Sequence, residues 1–245
     1  DPEAVDVPLD TLLSDDYLNE RRATIANTTL PRISMGAPER LGVRHGLAPS
    51  VPDYARGGST THISVIDRDG VVVSLTQTLL SVWGSRVVVP GTGVLMNNGM
   101  MWFDPEPGRP NSVAGGKRPL SNMAPAIAAS ASGTLAAIGA SGGRRIMNCV
   151  AQIVSNLADF GFGMQAAVSA PRIDASTLDL LVDCRISEPT RDALRRRGHR
   201  VVVKDDRLFR GEFASPACVL RQDGTFTGGV DPYYFPATAV AASPA

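Results

Sequence analysis

Two short strands joined by a tight turn form the pattern that most restricts how this chain folds. Residues 62–66 (HISVI) alternate in polarity, residues 67–70 (DRDG) have the composition of a turn, and residues 71–76 (VVVSLT) run back. Alternation with a period of two is typical of a half-buried strand, so the pattern predicts a β-hairpin. The chain changes here from a proline-containing segment with little periodicity to a sheet.

Further elements are predicted on both sides of this hairpin. Upstream, one helix begins after the N-cap Ser14 and runs to about residue 25. Downstream, a long amphipathic helix opens at Gly142 and ends near Gly161. The other predicted elements are strands at 86–90, 180–182 and 200–203, a loop at 97–116, helices at 164–169 and 189–197, and hairpins at 125–139 and 217–228. Paired strands interleaved with helices favour a layered α+β class.

Composition excludes several classes of partner. Hydrophobic residues make up 43% of the 245, enough for a sizeable core, and 24 basic residues balance 24 acidic ones. A neutral chain gives no electrostatic basis for binding nucleic acid or an anionic membrane surface. No apolar run approaches the roughly 20 residues that span a bilayer. The first residues lack Met, so we expect the natural N-terminus upstream; compartment and homo-oligomerisation stay open.

The junction before the hairpin carries the chemistry. Residues 57–62 (GGSTTH) join a flexible tether to the strand. If the bond after Ser59 were cut, the hydroxyl of Thr60 would lie beside its own α-amine, whose pKa of about 8 suits a general base. The same hydroxyl can attack the Ser59 carbonyl and cut the chain itself. Taken alone, this short motif is also an ordinary loop sequence.

A series of motifs then resembles the γ-glutamyltranspeptidases, which are N-terminal-nucleophile hydrolases. Residues 60–67 (TTHISVID) resemble the start of that family's small subunit, and the likeness extends to about residue 232. The other matching segments are 74–78 (SLTQT), 93–98 (GVLMNN), 117–125 (KRPLSNMAP), 140–146 (ASGGRRI) and 170–172 (APR). The resemblance implies the four-layer αββα sandwich, with residues 1–59 ending the large subunit and 60–245 forming the small, catalytic subunit.

The resemblance also implies catalytic roles, one position at a time. Self-cleavage would fall between Ser59 and Thr60, which makes Thr60 the nucleophile. Thr78 would hold the hydroxyl of Thr60. Gly142 and Gly143 would offer backbone N–H groups to the oxyanion at the start of the long helix, where such donors are strongly catalytic. No metal or organic cofactor is implied.

Substrate-binding roles follow in the same way. Ser121 would bind the substrate carboxylate, and Asn122 replaces the second serine of the family's pair while still offering hydrogen bonds. Thr61 would lie beside the nucleophile. His62 is interpreted as structural, because the mechanism needs no imidazole. The expected partners are a small-molecule amide and the protein's own large-subunit segment.

The family pattern breaks where it binds the glutamyl ammonium. Leu80 stands in place of an asparagine, and Trp102 stands in place of the aspartate that pairs with the ammonium. Asp104 lies two residues later and is a candidate replacement. The four apolar residues that precede Asp104 either line a pocket for the acyl group or pack in the core; they are Met100, Met101, Trp102 and Phe103. These changes predict a γ-glutamyltranspeptidase-like amidase with altered acyl specificity.

Three alternatives remain open at this point. One is an acylase that cleaves dicarboxylic or apolar side chains from amides, as the related cephalosporin acylases do. Another is a catalytically silent relative that uses the cleft only for binding. In the third, residues 1–59 remain uncut and cover the cleft as a precursor segment.

Overall fold

The computed structural model describes residues 1–29, 58–207 and 211–241. Its helices are α1 (Leu9–Leu12), α2 (Asp15–Ala23), α3 (Arg145–Ala158), α4 (Met164–Ser169) and α5 (Glu188–Arg196). Its strands are β1 (Gly58–Ile66), β2 (Val72–Ser81), β3 (Ala126–Ala129), β4 (Leu135–Ile138), β5 (Ala140–Ser141), β6 (Ile173–Asp174), β7 (Leu180–Asp183), β8 (Val201–Lys204), β9 (Ser215–Gln222) and β10 (Thr225–Val230).

The predicted first hairpin is present as the antiparallel pair β1–β2. Gly70 closes its turn with a φ of +90°, a conformation that glycine adopts without strain. The two faces of the pair differ. The inner face carries polar side chains such as His62, Ser64 and Thr76, whereas the outer face exposes apolar ones such as Ile63 and Val65.

A second sheet has the strand order β10–β9–β4–β3, and β5 adds to β9. Its β9–β10 hairpin turns at Asp223 and Gly224, which both have positive φ, as a type I′ turn requires. The inner face of β1–β2 packs against this sheet: Ser64 donates to the Ala217 carbonyl at 2.9 Å, and Ser74 donates to the Ile138 carbonyl at 3.0 Å. The two sheets are therefore joined by hydrogen bonds as well as by packing.

Helices α3 and α4 cover the opposite face of the second sheet. The apolar stripe of α3 repeats at helical spacing and is buried against β4 and β9. The core residues of this stripe and its neighbours are Ile138, Ile146, Cys149, Val150, Ile153, Met164, Val168, Cys218 and Leu220. A smaller sheet, β6–β7–β8, lies to one side, and α5 makes the crossover between the parallel strands β7 and β8.

These layers confirm the α+β class. Within the described ranges, helices, the larger sheet and the β1–β2 pair follow one another as three layers. None of the helices in those ranges has the length and apolar character needed to cross a membrane. The predicted helix after Ser14 is α2, and Ser14 caps it by accepting a hydrogen bond from the Tyr17 N–H at 3.2 Å.

Other predictions need correction. Residues 86–90 form an isolated bridge between Val88 and Leu95 rather than a strand, because Arg86, Gly91 and Gly93 have positive φ and break the extended backbone. The loop predicted at 97–116 contains a 3₁₀ turn at Gly99–Trp102. Helix α1 and the two-residue strands β5 and β6 are too short to show a repeating pattern, so the sequence does not predict them. The irregular segment at 30–57 lies outside the described residues.

Candidate active site

Thr60 lies on β1 at a local irregularity of the strand pair. β1 begins at Gly58, four residues before the alternating segment predicted at 62–66, so Ser59 is itself extended. Gly58 pairs with Ser81 and Thr60 pairs with Thr78, which leaves Ser59 opposite two residues of β2. This two-against-one arrangement is a β-bulge, and bulges are common next to active sites because they redirect side chains.

The hydroxyl of Thr78 is the centre of a small hydrogen-bonded group. Its oxygen lies 2.8 Å from Thr60 Oγ1 and accepts a bond from the Leu80 N–H at 2.8 Å. It donates to the Ser59 carbonyl oxygen at 3.2 Å. A threonine hydroxyl has one hydrogen, so with that hydrogen on Ser59, Thr60 is the donor in the Thr60–Thr78 bond. One hydroxyl therefore contacts both the candidate nucleophile and the carbonyl that precedes it.

Leu80 makes this arrangement through its backbone. Its φ is +70°, an uncommon conformation for a residue other than glycine and one that asparagine tolerates better than leucine. The left-handed turn at Leu80 directs its N–H at Thr78 Oγ1. Because leucine rarely adopts positive φ, nothing in the sequence indicates this conformation, and the sequence does not predict the bulge.

The Gly142–Gly143 turn connects β5 to α3. Gly142 has φ of +142° and Gly143 has φ of +62°. A methyl group added to Gly142 would lie 2.7 Å from Ala214 Cα, so the turn needs glycine for space as well as for conformation. β5 packs against β1, which brings the start of α3 to the strand that carries Thr60.

Arg172 supports this turn from below. Its guanidinium donates to the Ala214 carbonyl at 3.1 Å, to the Val168 carbonyl at 2.6 Å and to Cys149 Sγ at 3.0 Å. These three contacts join the segment under Gly142 to α3 and α4. In the sequence, Arg172 belongs to a short matching motif at 170–172 that does not indicate this role.

The remaining candidates are arranged differently. Thr61 is exposed on the outer face of β1, because neighbouring side chains of a strand point to opposite faces, so its side chain is not brought to Thr60. Ser121 is exposed, and its Oγ accepts from the Met123 N–H at 3.2 Å. Asn122 is half-buried in the same segment, which leads into β3.

Comparison with known proteins identifies the family. The family model described as Gamma-glutamyltranspeptidase matches residues 1–235. The chain belongs to the γ-glutamyltranspeptidase family.

Individual relatives agree with this assignment. The Acylase ACY 1 proenzyme of Pseudomonas sp. (strain V22) is 37% identical over 228 residues, which cover 93% of this chain and 38% of the acylase. A mutant γ-glutamyltranspeptidase of Helicobacter pylori matches with a TM-score of 0.62 and 31% identity, over 71% of this chain and all of that one. Cephalosporin acylase from Bacillus halodurans matches with a TM-score of 0.69 and 27% identity, over 95% of this chain and 39% of the acylase.

These matches confirm the expected N-terminal-nucleophile hydrolase fold. The chain spans less than two fifths of the length of the ACY 1 proenzyme that it matches.

The loop after β2 is the segment in which the sequence predicts a departure from the family pattern. The loop is held to the strand end by Asn98, whose side chain accepts from the Ser81 N–H at 3.0 Å and donates to Ser81 Oγ at 2.7 Å. The backbone N–H of Asn98 also donates to the Leu79 carbonyl at 3.2 Å. Trp102 ends the 3₁₀ turn and is half-buried, with its ring 3.5 Å from the position that a Cβ on Gly99 would take.

Asp104, the candidate replacement named from the sequence, makes its contacts within its own loop. Its side chain is buried, accepts from the Glu106 N–H at 2.9 Å and forms an ion pair with Arg109 at 3.0 Å. These contacts, the backbone hydrogen bond first, hold the pKa of the Asp104 carboxyl below its ordinary value. Arg109 also pairs with Glu106, so Asp104 belongs to a group of two carboxylates and one guanidinium within its own loop.

A metal centre has no donor set in the described residues. Nowhere in those ranges do three or more His, Cys, Asp or Glu side chains gather closely enough to hold an ion.

Proposed function

We propose that this protein is a self-processing amide hydrolase and acyltransferase that uses Thr60 as an N-terminal nucleophile. The observation that carries the proposal is the group formed by Thr60, Thr78 and the Ser59 carbonyl. It places one hydroxyl in contact with the nucleophile and with the oxygen of the bond to be cut. The family assignment supports the same reaction class.

Self-cleavage would be the first reaction. Thr60 Oγ attacks the Ser59 carbonyl carbon, and Thr78 donates to the carbonyl oxygen as negative charge develops there. The C–N bond breaks, the Thr60 nitrogen takes the proton given up by the hydroxyl, and an ester joins the two pieces. Water then hydrolyses the ester, which leaves a carboxylate on Ser59 and a free amine and hydroxyl on Thr60.

Amide cleavage would follow at the same hydroxyl. The new α-amine of Thr60, with a pKa of about 8, takes the hydroxyl proton as Oγ attacks the substrate carbonyl. The N–H groups of Gly142 and Gly143 stabilise the oxyanion. The leaving amine takes the proton, and the acyl group remains on Thr60 as an ester. Water or a second amine then removes it, which gives hydrolysis or transfer.

The acyl group would lack an α-ammonium. Leu80 and Trp102 offer no charge where the typical family places asparagine and aspartate, and Asp104 is paired with Arg109. An ammonium left without its partner in a buried site costs roughly 2–5 kcal/mol, which corresponds to about 30-fold to several thousand-fold in affinity. A glutaryl group, which is γ-glutamyl without the ammonium, escapes this cost.

The absence of a charged partner at Leu80 and Trp102 favours the acylase alternative over ordinary γ-glutamyl transfer. The ACY 1 proenzyme and the cephalosporin acylase match over 93% and 95% of this chain, and a glutathione hydrolase proenzyme of Escherichia coli matches over 95%, so these matches are compatible with both readings. A catalytically silent binding relative is the second candidate, and it differs from the first in leaving amide bonds intact.

The rest of the protein would be the partner of this chain. We assign residues 1–59 to the end of the large subunit and 60–245 to the small subunit; the Helicobacter pylori chain, matched over its full length by 71% of this one, supports a boundary of this kind. The outer face of β1–β2 would pack against the large subunit, since its exposed apolar side chains alternate along both strands. These side chains are Ile63, Val65, Val71, Val73 and Leu75.

A pair of amides that differ only in the ammonium tests the function. Glutaryl p-nitroanilide and γ-glutamyl p-nitroanilide are given to wild type, Thr60→Ala and Thr60→Ser. We expect wild type to hydrolyse the glutaryl amide at least tenfold faster, Thr60→Ser to keep part of that rate, and Thr60→Ala to lose it. Correctly cleaved protein that hydrolyses neither amide would move the binding relative ahead. A preference for the γ-glutamyl amide would refute the proposed specificity.

A further inference from the structure

His62 is buried on the inner face of β1, two residues after Thr60. Its ring contacts two hydroxyls: Nδ1 lies 2.7 Å from Thr76 Oγ1, and Nε2 lies 2.9 Å from Ser64 Oγ. The proposed reactions at Thr60 use no imidazole. A buried, fully hydrogen-bonded histidine this close to the nucleophile therefore needs a different explanation.

The hydrogen bonds fix which nitrogen of His62 carries the proton. Ser64 donates its only hydrogen to the Ala217 carbonyl at 2.9 Å, so it can only accept from His62. Nε2 therefore bears the hydrogen, and in the neutral ring Nδ1 accepts from the Thr76 hydroxyl. Burial lowers the pKa of His62, which favours that neutral ring. The bonds run in one direction, from Thr76 through His62 and Ser64 to Ala217.

The same ring lies against Gly139, which joins β4 to β5. A Cβ at Gly139 would lie 2.1 Å from Cε1 of His62 and 2.5 Å from both ring nitrogens, so only glycine allows this contact. The Gly139 carbonyl in turn accepts from the Ala217 N–H at 3.1 Å. These contacts close a ring that links β1, β9 and the β4–β5 connection; its members are His62, Ser64, Ala217 and Gly139.

We propose that His62 is a positioning residue, which sets the location of Thr60 relative to the Gly142–Gly143 turn. This inference rests on the function proposed above. His62 is two residues from Thr60, about 7 Å along a strand, and Gly139 is three residues before Gly142. The imidazole is therefore a rigid spacer between the strand that carries the nucleophile and the strand that leads to the oxyanion donors.

A spacer of this kind affects reaction rate more than affinity. The attacking oxygen must reach the carbonyl carbon while the oxyanion meets its donors, and a shift of about 1 Å can cost 100-fold. Loss of one ring contact should shift the strand by less than this. A cross-sheet hydrogen bond elsewhere, by contrast, should contribute to stability and leave the rate nearly unchanged.

The chain offers a matched set of single-hydroxyl variants on the inner face of β2. Thr76→Val removes the donor to Nδ1 of His62, and Thr76→Ser keeps it. Ser74→Ala removes a hydroxyl that donates to the Ile138 carbonyl, one residue before Gly139, without contacting His62. For each full-length variant we would measure the self-cleavage rate, the thermal midpoint, and kcat and KM for glutaryl p-nitroanilide.

We expect Thr76→Val to lower the self-cleavage rate and kcat by about tenfold, with KM within about twofold. The self-cleavage rate and kcat of Thr76→Ser and of Ser74→Ala should stay within about threefold of wild type. For Ser74→Ala this should hold even where its thermal midpoint falls as far as that of Thr76→Val. Equal rates for Thr76→Val and Ser74→Ala would overturn the positioning role and leave the function standing. A wild-type chain that is never cut at Thr60 would overturn both.

A measurement on unaltered protein guards against a variant that fails to fold. Long-range ¹H–¹⁵N spectra report the tautomer of each of the three histidines, with the other two assigned by His45→Gln and His199→Gln. The hydrogen bonds of His62 predict a neutral ring protonated on Nε2 at neutral pH. A ring protonated on Nδ1, or one that exchanges between tautomers, would refute it.

Discussion

Removal of the Thr78 hydroxyl should nearly stop self-cleavage. Thr78→Val keeps the size and β-branching of the side chain but loses all three hydrogen bonds, to Thr60, to the Ser59 carbonyl and from the Leu80 N–H. Loss of a donor to a developing oxyanion costs about 100- to 1,000-fold in rate. We therefore expect self-cleavage to slow by about that factor, and full-length precursor to accumulate.

The assay is a time course of the purified precursor, in which the full-length mass and the two product masses are followed together. Thr78→Ser is the matched control, since it keeps the hydroxyl and should remain within about tenfold of wild type. The Leu80 N–H left without an acceptor in the valine variant should also lower stability by about 1–3 kcal/mol. Cleavage of Thr78→Val within about threefold of wild type would refute the role given to this hydroxyl.

Three further predictions concern the surrounding structure. Gly142→Ala should lower stability by about 1–3 kcal/mol in chemical denaturation, because its methyl group meets Ala214 at 2.7 Å and its φ disfavours alanine. Arg109→Met should lower the free energy of unfolding at pH 7. The difference between variant and wild type should shrink as pH falls through the pKa of Asp104, which lies below its usual 3.8. The reason is that a carboxyl with a lowered folded-state pKa stabilises the fold only while it is ionised. Val73→Asp should make the two cleaved pieces separate during gel filtration while Val73→Thr keeps them together; co-elution of the aspartate variant would contradict the assigned interface.

The sequence predicted those elements whose pattern is long enough to repeat. The alternating residues of β1 and β2 and the apolar stripe of α3 are examples, because period and burial agree over two or more turns or pairs. The α+β class follows from their order. The three-layer packing does not, since the polar inner face of β1–β2 reads as solvent-facing until its partners on β4 and β9 are known.

The candidate site was predictable in its residue types but not in its geometry. Thr60 was predicted from the junction at 57–62 and from the family motifs, and Thr78 from the family motifs alone. Nothing in the sequence indicates the bulge at Leu80, because leucine rarely adopts positive φ. The family resemblance implied that Thr61 lies beside the nucleophile, whereas strand alternation puts its side chain on the other face. The ion pair that occupies Asp104 forms within an irregular loop, where spacing along the chain does not predict contact.

The most direct test of the account is the intact mass of the purified full-length protein beside its Thr60→Ala variant. We expect two pieces for wild type, the smaller beginning at Thr60, and a single uncut chain for Thr60→Ala. A wild-type chain of full mass after prolonged incubation, or cleavage at the same bond in Thr60→Ala, would contradict it.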